Sequence, residues 1–420
     1  MTTFNDVYGY EEIKEQLMRI IDIIGNREKY RAVGARMPRG ILFQGNPGVG
    51  KTLMSNAFIT ESGLPSFTIR RDKTNGEFLK HISETFEKAK TAAPSIVLLD
   101  DLDKYANVEG VNVDAEEYVA VQAGIDECAG SDVFVLATTN DILKLPDSLC
   151  RSGRFDDIIY ISHPNEDAAQ KIISHYIEGK PISENIRLED LVKITCNKSS
   201  ADIEKYMNEA AVLALYDRNE KIEMKHMIEV ITGKRPLDKT AWTHYDRNAY
   251  SETTLHEAGH LVVSEAIKKG TVGCAVIRGK TNAYVCRCVP FSEDSHYIMT
   301  SLAGKVAAEL YFGGESACGC ASDLQKAHNR IRGCIVENGN AGMSYLGWLN
   351  DGISERLESS LEAITSAEME RYMNITRKVL LDNRSFLEKV WHELEEKEYL
   401  LFSDIQRIEE ECDVVSAEVR

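Results

Sequence analysis

The sequence has no apolar run approaching the roughly 18 to 20 residues that a membrane-spanning helix needs. Its longest apolar stretches, at residues 95–99 and 133–137, are short. Residues 1–15 carry acidic and polar side chains at close intervals, which is not the pattern of a signal peptide. These absences predict a soluble, cytoplasmic protein without a membrane span.

Basic residues are outnumbered by acidic ones, 49 to 67, which leaves a net charge of −18. A surface this acidic argues against broad binding to nucleic acid or to an anionic membrane. Hydrophobic residues make up 43% of the chain, enough for a sizeable core. The length of 420 residues favours two or three domains.

Disulfides are not expected, although the cysteine count of ten is even. The cysteines are spread through a long chain that shows no export signal, so free thiols in a reducing compartment are the better interpretation.

The first part of the chain alternates short apolar strands with helical segments, which is typical of an α/β fold with a parallel sheet. The predicted strands are residues 40–44, 66–69, 95–100, 132–138 and 156–161, and the predicted helices between them include residues 51–61 and 77–90. From about Glu166 onward only helices are predicted, among them residues 167–179, 201–217, 251–269 and 295–312. The polar stretch 232–248 between them is the best candidate for a linker.

A phosphate-binding loop follows the first predicted strand and precedes a helix, which is the context that the pattern G-x-x-x-x-G-K-[ST] requires. Its backbone N–H groups would surround the phosphates of ATP, Lys51 would reach the β and γ phosphates, and the Thr52 hydroxyl would bind Mg²⁺. The loop consists of Gly45, Asn46, Pro47, Gly48, Val49, Gly50, Lys51 and Thr52.

Polar residues at the ends of two further strands complete a candidate nucleotide site. Asp100 would bind Mg²⁺ and Asp101 would polarise the attacking water. Asn140 could orient that water or the γ phosphate, although a plain loop role fits it equally well. An aspartate at a strand end can also serve as a helix cap, but its place about fifty residues after the phosphate loop favours the metal-binding role.

These motifs resemble those of the AAA+ ATPases. Arg151 and Arg154 match the two arginines that in this family reach a neighbouring subunit's nucleotide site, which implies a ring, usually a hexamer. Val7, Tyr8 and Gly9 resemble the family's segment beside adenine. The resemblance divides the first part of the chain into an α/β ATPase core, residues 1–165, and a helical lid, residues 166–232.

A candidate zinc site lies in the second half, where His256, Glu257 and His260 form an H-E-x-x-H pattern. On a helix, residues four apart share one face, so both imidazoles can bind one Zn²⁺ and Glu257 can act as the general base. Two surface histidines on a helix are the plainer alternative.

An AAA module followed by H-E-x-x-H resembles the FtsH family of ATP-dependent zinc proteases over nearly the whole chain. In that family an Asp supplies the third zinc ligand, and Asp323 occupies its position. The resemblance also implies that residues 302–313 form a helix packed below the site, and that residues 249–420 are a helical peptidase domain joined by a linker at 233–248. Cys318 and Cys320 are alternative ligands for which a packing role is favoured, and His296 and His328 are either neighbours of the site or surface residues.

Three departures from this family stand out. Its members usually carry N-terminal membrane spans, which are not found here. Asp101 stands where a Glu is usual, which draws the carboxylate back by one methylene; a misplacement of about 1 Å can cost roughly 100-fold in rate. The family's aromatic pore loop is also missing near residues 70–80, where Phe78 is either its substitute or a core residue.

The leading hypothesis is a ring-forming ATP-dependent zinc endopeptidase that unfolds, translocates and degrades unfolded or tagged proteins. A second keeps the peptidase but has a weakly hydrolysing, nucleotide-gated ring because of Asp101. A third is an ATP-dependent remodelling protein in which the zinc is structural.

Overall fold

The computed structural model describes residues 2–72, 75–106, 115–150, 153–235, 237–313, 320–339 and 355–417. Arg151 and Cys318 lie outside the described residues. The chain forms two compact units, Met1–Glu178 with Asn197–Lys205, and Gly179–Cys196 with Tyr206–Arg420.

The first unit is built on a five-stranded parallel sheet with the strand order β2-β3-β4-β1-β5. Its strands are β1 (Gly40–Gln44), β2 (Ser66–Ile69), β3 (Ser95–Leu99), β4 (Val133–Thr139) and β5 (Asp157–Tyr160). Its helices include α1 (Glu11–Gly25), α2 (Arg27–Ala32), α3 (Lys51–Ser62), α4 (Asn75–Thr91), α5 (Ala115–Glu127) and α6 (Glu166–Ile177). Single 3₁₀ turns lie at Phe4–Asp6, Leu102–Lys104 and Ile142–Lys144. This confirms the predicted α/β fold.

The sheet is buried on both faces because alternate side chains of each strand point to opposite sides. In β1, Ile41 and Phe43 pack in one apolar cluster with residues of α1 and α3, whereas Leu42 belongs to a second cluster with residues of α4 and α5. Every residue of β4 is buried. The carboxyl ends of β1, β3 and β4, which are adjacent strands, therefore lie on a rigid three-layer scaffold.

From residue 179 onward the chain is mainly helical, as predicted. The helices are α7 (Leu188–Ile194), α8 (Ser200–Tyr216), α9 (Met224–Thr232), α10 (His244–Ile267), α11 (Asp294–Phe312), α12 (Ala321–Asn338), α13 (Glu355–Asp382), α14 (Arg384–Lys397) and α15 (Phe402–Glu411).

A small antiparallel sheet in the second unit was not predicted. It has the order β7-β6-β8 and consists of β6 (Val272–Ile277), β7 (Ala283–Arg287) and β8 (Tyr399–Leu401). Every residue of β6, the central strand, is buried. The expectation of helices alone after Glu166 is therefore wrong for these segments.

The histidine-bearing helix α10 is longer than predicted. It begins at His244, inside the stretch predicted as linker, because Thr243 and Asp246 form a reciprocal cap at its start. It packs closely against α11, where a Cβ on Gly259 would lie only 2.6 Å from the carbonyl oxygen of Ala303. The predicted helix below the zinc motif is thus present as α11.

Within these described ranges, no helix combines the length and the apolar composition that a membrane crossing needs. None of the nine described cysteines forms a disulfide.

Candidate nucleotide and zinc sites

The predicted phosphate loop connects β1 to α3 and has the backbone that phosphate binding requires. Gly48 and Gly50 have φ values of 81° and 102°, in the region that favours glycine. A side chain on Gly45 would overlap the carbonyl oxygen of Ile161. The loop ends at the N-terminus of α3, where free backbone N–H groups favour an anion.

Lys51 turns back onto its own loop. Its ammonium donates to the carbonyl oxygens of Gly45 at 2.7 Å and Asn46 at 2.9 Å, and to Oδ1 of Asn140 at 2.9 Å. Burial lowers the pKa of Lys51, and the nearby carboxylates of Asp101, Asp103 and Asp100 oppose that shift. The structure therefore brings Asn140 to the loop.

Asp100 is the most buried carboxylate of the site, with 1% of its surface exposed. Its Oδ1 accepts from the hydroxyls of Thr138 at 2.9 Å and Thr52 at 3.4 Å, and its Oδ2 accepts from Nε of Arg70 at 3.0 Å. The hydroxyl of Thr52 and the carboxylate of Asp100 are the hard oxygen donors that suit Mg²⁺. Sequence reasoning missed Thr138 and Arg70, because neither belongs to a motif.

Asp101 has a strained backbone and a cationic partner. Its φ is 53°, unusual for a residue with a side chain, and its N–H donates to the hydroxyl of Thr138 at 2.8 Å. Lys104 donates to Oδ2 of Asp101 at 2.6 Å, and this contact raises the pKa of Lys104. The carboxylate predicted to polarise water is thus paired with a lysine of the same chain.

Arg154 is bound within its own chain. Its Nε and Nη2 donate to the two carboxylate oxygens of Asp126 at 2.9 and 2.8 Å, and Nη1 contacts the carbonyl oxygen of Ser148. Its role in a neighbouring subunit stays a prediction, as does that of Arg151.

The segment predicted to lie beside adenine packs on α6. The ring of Tyr8 stacks on His175 with 4.3 Å between centroids, and Gly9, at φ 77°, abuts Ala168. Val7 is buried in the apolar cluster that contains Ile41. Contact with adenine stays a prediction.

Phe78 is a core residue of the first unit. It is fully buried, and its ring meets Tyr105 edge to face at 5.2 Å between centroids. Of the two roles considered for this aromatic, the structure supports the core residue and not the pore-loop substitute.

His256, His260 and Asp323, the three predicted zinc ligands, converge in the second unit. Nε2 of His256 lies 3.0 Å from Nε2 of His260, and Oδ2 of Asp323 lies 3.4 and 3.5 Å from these two nitrogens. Ligands at about 2.1 Å on a tetrahedral zinc lie about 3.4 Å apart. The three side chains therefore fit one Zn²⁺, and they are the only such group among the residues that the structure describes.

The neighbours of the histidines fix their rings. Nδ1 of His260 lies 2.7 Å from the carbonyl oxygen of Thr300, to which it can donate while Nε2 stays available for a metal. Gly304 on α11 faces His256 so closely that a Cβ would lie 2.5 Å from Nδ1 of that ring. Helix α11 thus orients both imidazoles.

The pKa values of two carboxyl groups at this site are shifted in opposite directions. Burial raises the pKa of Glu257, and the two histidines oppose the shift. Burial alone would also raise the pKa of Asp323, but hydrogen bonds from His256 and His260 outweigh it and keep that pKa well below its usual range. Lys326 donates to Oδ1 of Asp323 at 2.9 Å, which leaves Oδ2 toward the histidines.

A cavity of about 450 Å³ opens onto this cluster, and residues of β7 form part of its wall. His256, Glu257, His260 and Asp323 all line it. His296 and His328 lie outside the cluster and pair with Ser292 at 3.1 Å and Glu362 at 3.2 Å, which supports their surface role. Cys320 is not part of the cluster either.

Comparison with known proteins gives the same two modules. Residues 41–163 match the family described as ATPase family associated with various cellular activities (AAA). The chain is 30% identical to "ATP-dependent zinc metalloprotease FtsH 2" of Thermoanaerobacter sp. over 97% of its own length and 83% of that relative. It is likewise 30% identical to "ATP-dependent zinc metalloprotease FtsH 1" of Thermomicrobium roseum, over 97% of this chain and 68% of that relative.

A third relative, "ATP-dependent zinc metalloprotease FtsH" of Ureaplasma parvum serovar 3, is 28% identical over 96% of this chain. The chain spans about three fifths of the length of that relative, 60%. The matched regions contain the phosphate loop as well as the zinc cluster. The chain therefore belongs to the FtsH family of ATP-dependent zinc metalloproteases.

Proposed function

We propose that this protein is an ATP-dependent zinc endopeptidase that unfolds, translocates and degrades protein chains. The observation that carries the proposal is the convergence of His256, His260 and Asp323 on one point of a cavity that Glu257 also lines. Two neutral imidazoles and one carboxylate are the donor set of a catalytic zinc that keeps a fourth position open.

Bound there, Zn²⁺ would polarise a peptide carbonyl and lower the pKa of a water. Glu257 would act as the general base, taking a proton from the attacking water and passing it to the leaving amine. Its burial suits this task, because a raised pKa brings a carboxylate closer to the neutral pH at which it must both accept and release a proton. Asp323 stays ionised and Thr300 holds the ring of His260.

ATP hydrolysis at the nucleotide site of the first unit would drive the unfolding and translocation of the substrate chain. Lys51 would bind the phosphates, Thr52 and Asp100 would hold Mg²⁺, and Asp101 would polarise the attacking water. ATP hydrolysis is assigned to residues 1–232 and cleavage to the domain predicted at residues 249–420, whose first helix, α10, begins earlier, at His244. We propose a homohexameric ring in the cytoplasm, acting on unfolded or tagged proteins, in which Arg151 and Arg154 act on the neighbouring subunit's site.

Metal analysis together with cleavage of a quenched fluorescent peptide tests the peptidase half. Wild type should contain one zinc per chain and cleave the peptide. His256→Ala should lose both zinc and cleavage, and Glu257→Gln should keep the zinc but lose at least about 100-fold in rate. His244→Ala, an exposed histidine of the same helix, is the matched control and should behave as wild type.

Full activity of Glu257→Gln would contradict this mechanism. Bound zinc with no cleavage of any peptide would instead favour a remodelling protein whose zinc is structural.

The pairing of Asp101 with Lys104 favours a second candidate, in which ATP hydrolysis is slow and the ring mainly gates access to the peptidase. On this account Asp101→Glu restores the missing methylene and raises ATP turnover about tenfold or more. An unchanged turnover number, measured by phosphate release, would remove Asp101 as the cause of slow hydrolysis.

A further inference from the structure

The buried carboxylate of Asp100 forms an ion pair with Arg70, a residue that belongs to none of the recognised motifs. Arg70 follows the last residue of β2, and its Nε donates to Oδ2 of Asp100 at 3.0 Å while Nη2 contacts the same oxygen. The other oxygen, Oδ1, accepts from Thr138 and Thr52. The guanidinium thus occupies the oxygen of Asp100 that no threonine contacts.

We propose that Arg70 competes with Mg²⁺ for the carboxylate of Asp100, so that Arg70 must leave this carboxylate before the metal of Mg·ATP can be bound there. The inference rests on the proposed ATPase function and makes Arg70 a positioning residue that sets the Mg²⁺ requirement. A guanidinium and Mg²⁺ on the same carboxylate repel each other, and the negative charge that Arg70 neutralises is the charge that would attract the metal.

The side chains of Arg70 and Asp100 differ in solvent exposure, and this difference decides which of them can move. The side chain of Asp100 is 2% exposed and is held by Thr138, whereas that of Arg70 is 59% exposed. Arg70 can therefore swing into solvent while Asp100 stays in place. An ion pair with one exposed partner is weak, so the competition should amount to several-fold and not to orders of magnitude.

A second role for Arg70 predicts a different result. If the guanidinium moved from Asp100 onto a phosphate, it would strengthen nucleotide binding whether or not Mg²⁺ was present. Binding measured in the presence of a chelator separates the two roles, because competition with the metal can act only when the metal is there.

The experiment measures the affinity of the full-length chain for the fluorescent nucleotide MANT-ATP, first in EDTA and then as Mg²⁺ is added. Arg70→Ser should lower the Mg²⁺ concentration for half-maximal enhancement of binding by about three- to tenfold and leave the affinity in EDTA unchanged. Arg70→Lys, which keeps the charge but loses the paired donors, should show a smaller shift.

Lys80→Ser is the matched control, since Lys80 is exposed and pairs only weakly, at 3.6 Å, with Glu84. Its Mg²⁺ midpoint should equal that of wild type, and equal melting temperatures should confirm that all variants are folded. An Arg70→Ser midpoint within twofold of wild type would overturn the inference. So would a loss of affinity in EDTA with an unchanged midpoint, which would make Arg70 a phosphate ligand. Wild type that binds no nucleotide under either condition would contradict the proposed function itself.

Discussion

At the scale of single residues, the zinc cluster depends on a glycine that carries no functional group. Gly304 leaves room for the His256 ring, whose Nδ1 is buried and makes no hydrogen bond within the described residues. Nε2 of this ring faces His260 and Asp323, but no hydrogen bond holds the Nδ1 side, which is positioned by packing against α11. His260 is fixed differently, through Thr300.

Gly304→Ala should therefore displace His256 and reduce bound zinc. The added methyl would lie 2.5 Å from Nδ1 and Nε2 of the ring, a separation that only a shift of the ring or of the helix can relieve. We expect at least a tenfold loss of zinc affinity, measured by competition with a chromophoric chelator.

Gly333→Ala is the matched control, because Gly333 also lies inside a helix but has no heavy atom within 4 Å of an added Cβ. It should bind zinc as wild type does and be slightly more stable. Normal zinc affinity in Gly304→Ala would show that His256 is not constrained by α11.

A carboxyl pair, buried Glu265 on α10 and half-buried Glu409 on α15, is expected to make stability depend on pH. Burial and the charge of Glu265 raise the pKa of Glu409 to about 8, and Oε1 of Glu409 is buried without a hydrogen-bond partner in the described chain. Glu265 accepts from the backbone N–H groups of Thr271 at 3.0 Å and Val272 at 2.6 Å. Glu409 is therefore the member that keeps the proton.

Because the folded-state pKa of Glu409 lies above its unfolded value, folding retains a proton that unfolding releases. This contribution to stability is complete below about pH 4.5 and is lost as the pH rises to about 8. Glu409→Gln mimics the protonated form, so its free energy of unfolding should exceed that of wild type by a margin that grows between pH 5 and 8. Urea unfolding at pH 5.5, 7 and 8.5 measures this margin, with the exposed neighbour Glu410→Gln as control. A margin independent of pH would contradict the assignment.

At the scale of secondary-structure elements, the helix that carries the zinc motif depends on its cap. Thr243 Oγ1 accepts from the N–H of Asp246 at 3.2 Å, and Oδ2 of Asp246 accepts from the N–H of Thr243 at 3.0 Å. Thr243→Ala should lower the free energy of unfolding by about 1 kcal/mol, as loss of an N-cap does. Thermal unfolding followed by circular dichroism tests this.

Because the zinc ligands lie more than two turns from the cap, peptide cleavage by Thr243→Ala at 25 °C should match wild type. Thr240→Ala, which lies before the helix and removes a hydrogen bond to Asp238, should change stability less. A larger effect of Thr240→Ala would argue that the cap does not determine where α10 begins.

The same elements show what the sequence predicts and what it does not. The strands that position the phosphate loop, Asp100 and Asn140 were predicted nearly residue for residue, because each is a short apolar run followed by a polar turn. The start of α10 was missed because its first turns are largely solvent-exposed, Tyr245 to 81%, and show no apolar periodicity. Strand β8 was missed because it has only three residues and lies between acidic helices.

The residues of the candidate sites also differ in how far the sequence alone predicts them. Residues joined by a local motif, such as His256 and His260, follow from spacing alone. Asp323 came from resemblance, since nothing in its spacing ties it to residues more than sixty positions earlier. The Arg70–Asp100 pair joins the residues that directly follow two adjacent strands, β2 and β3, and it can be inferred only from the strand order.

At the scale of the whole molecule, each unit contains one candidate site. The phosphate loop, Asp100, Asp101 and Asn140 lie in the first unit, and the three zinc ligands and Glu257 lie in the second. No nucleotide-binding residue belongs to the zinc cluster. Cleavage of a short peptide should therefore need zinc but not ATP, whereas degradation of a long protein chain that has to be translocated should need both.

Degradation of casein by the purified full-length chain, with and without ATP, tests this account most directly. We expect casein to be degraded only when ATP and zinc are both present, and both Lys51→Ala and Glu257→Gln to abolish its loss while Lys51→Ala still cleaves a short peptide. Equal loss of casein without ATP, or continued loss with Glu257→Gln, would contradict the account.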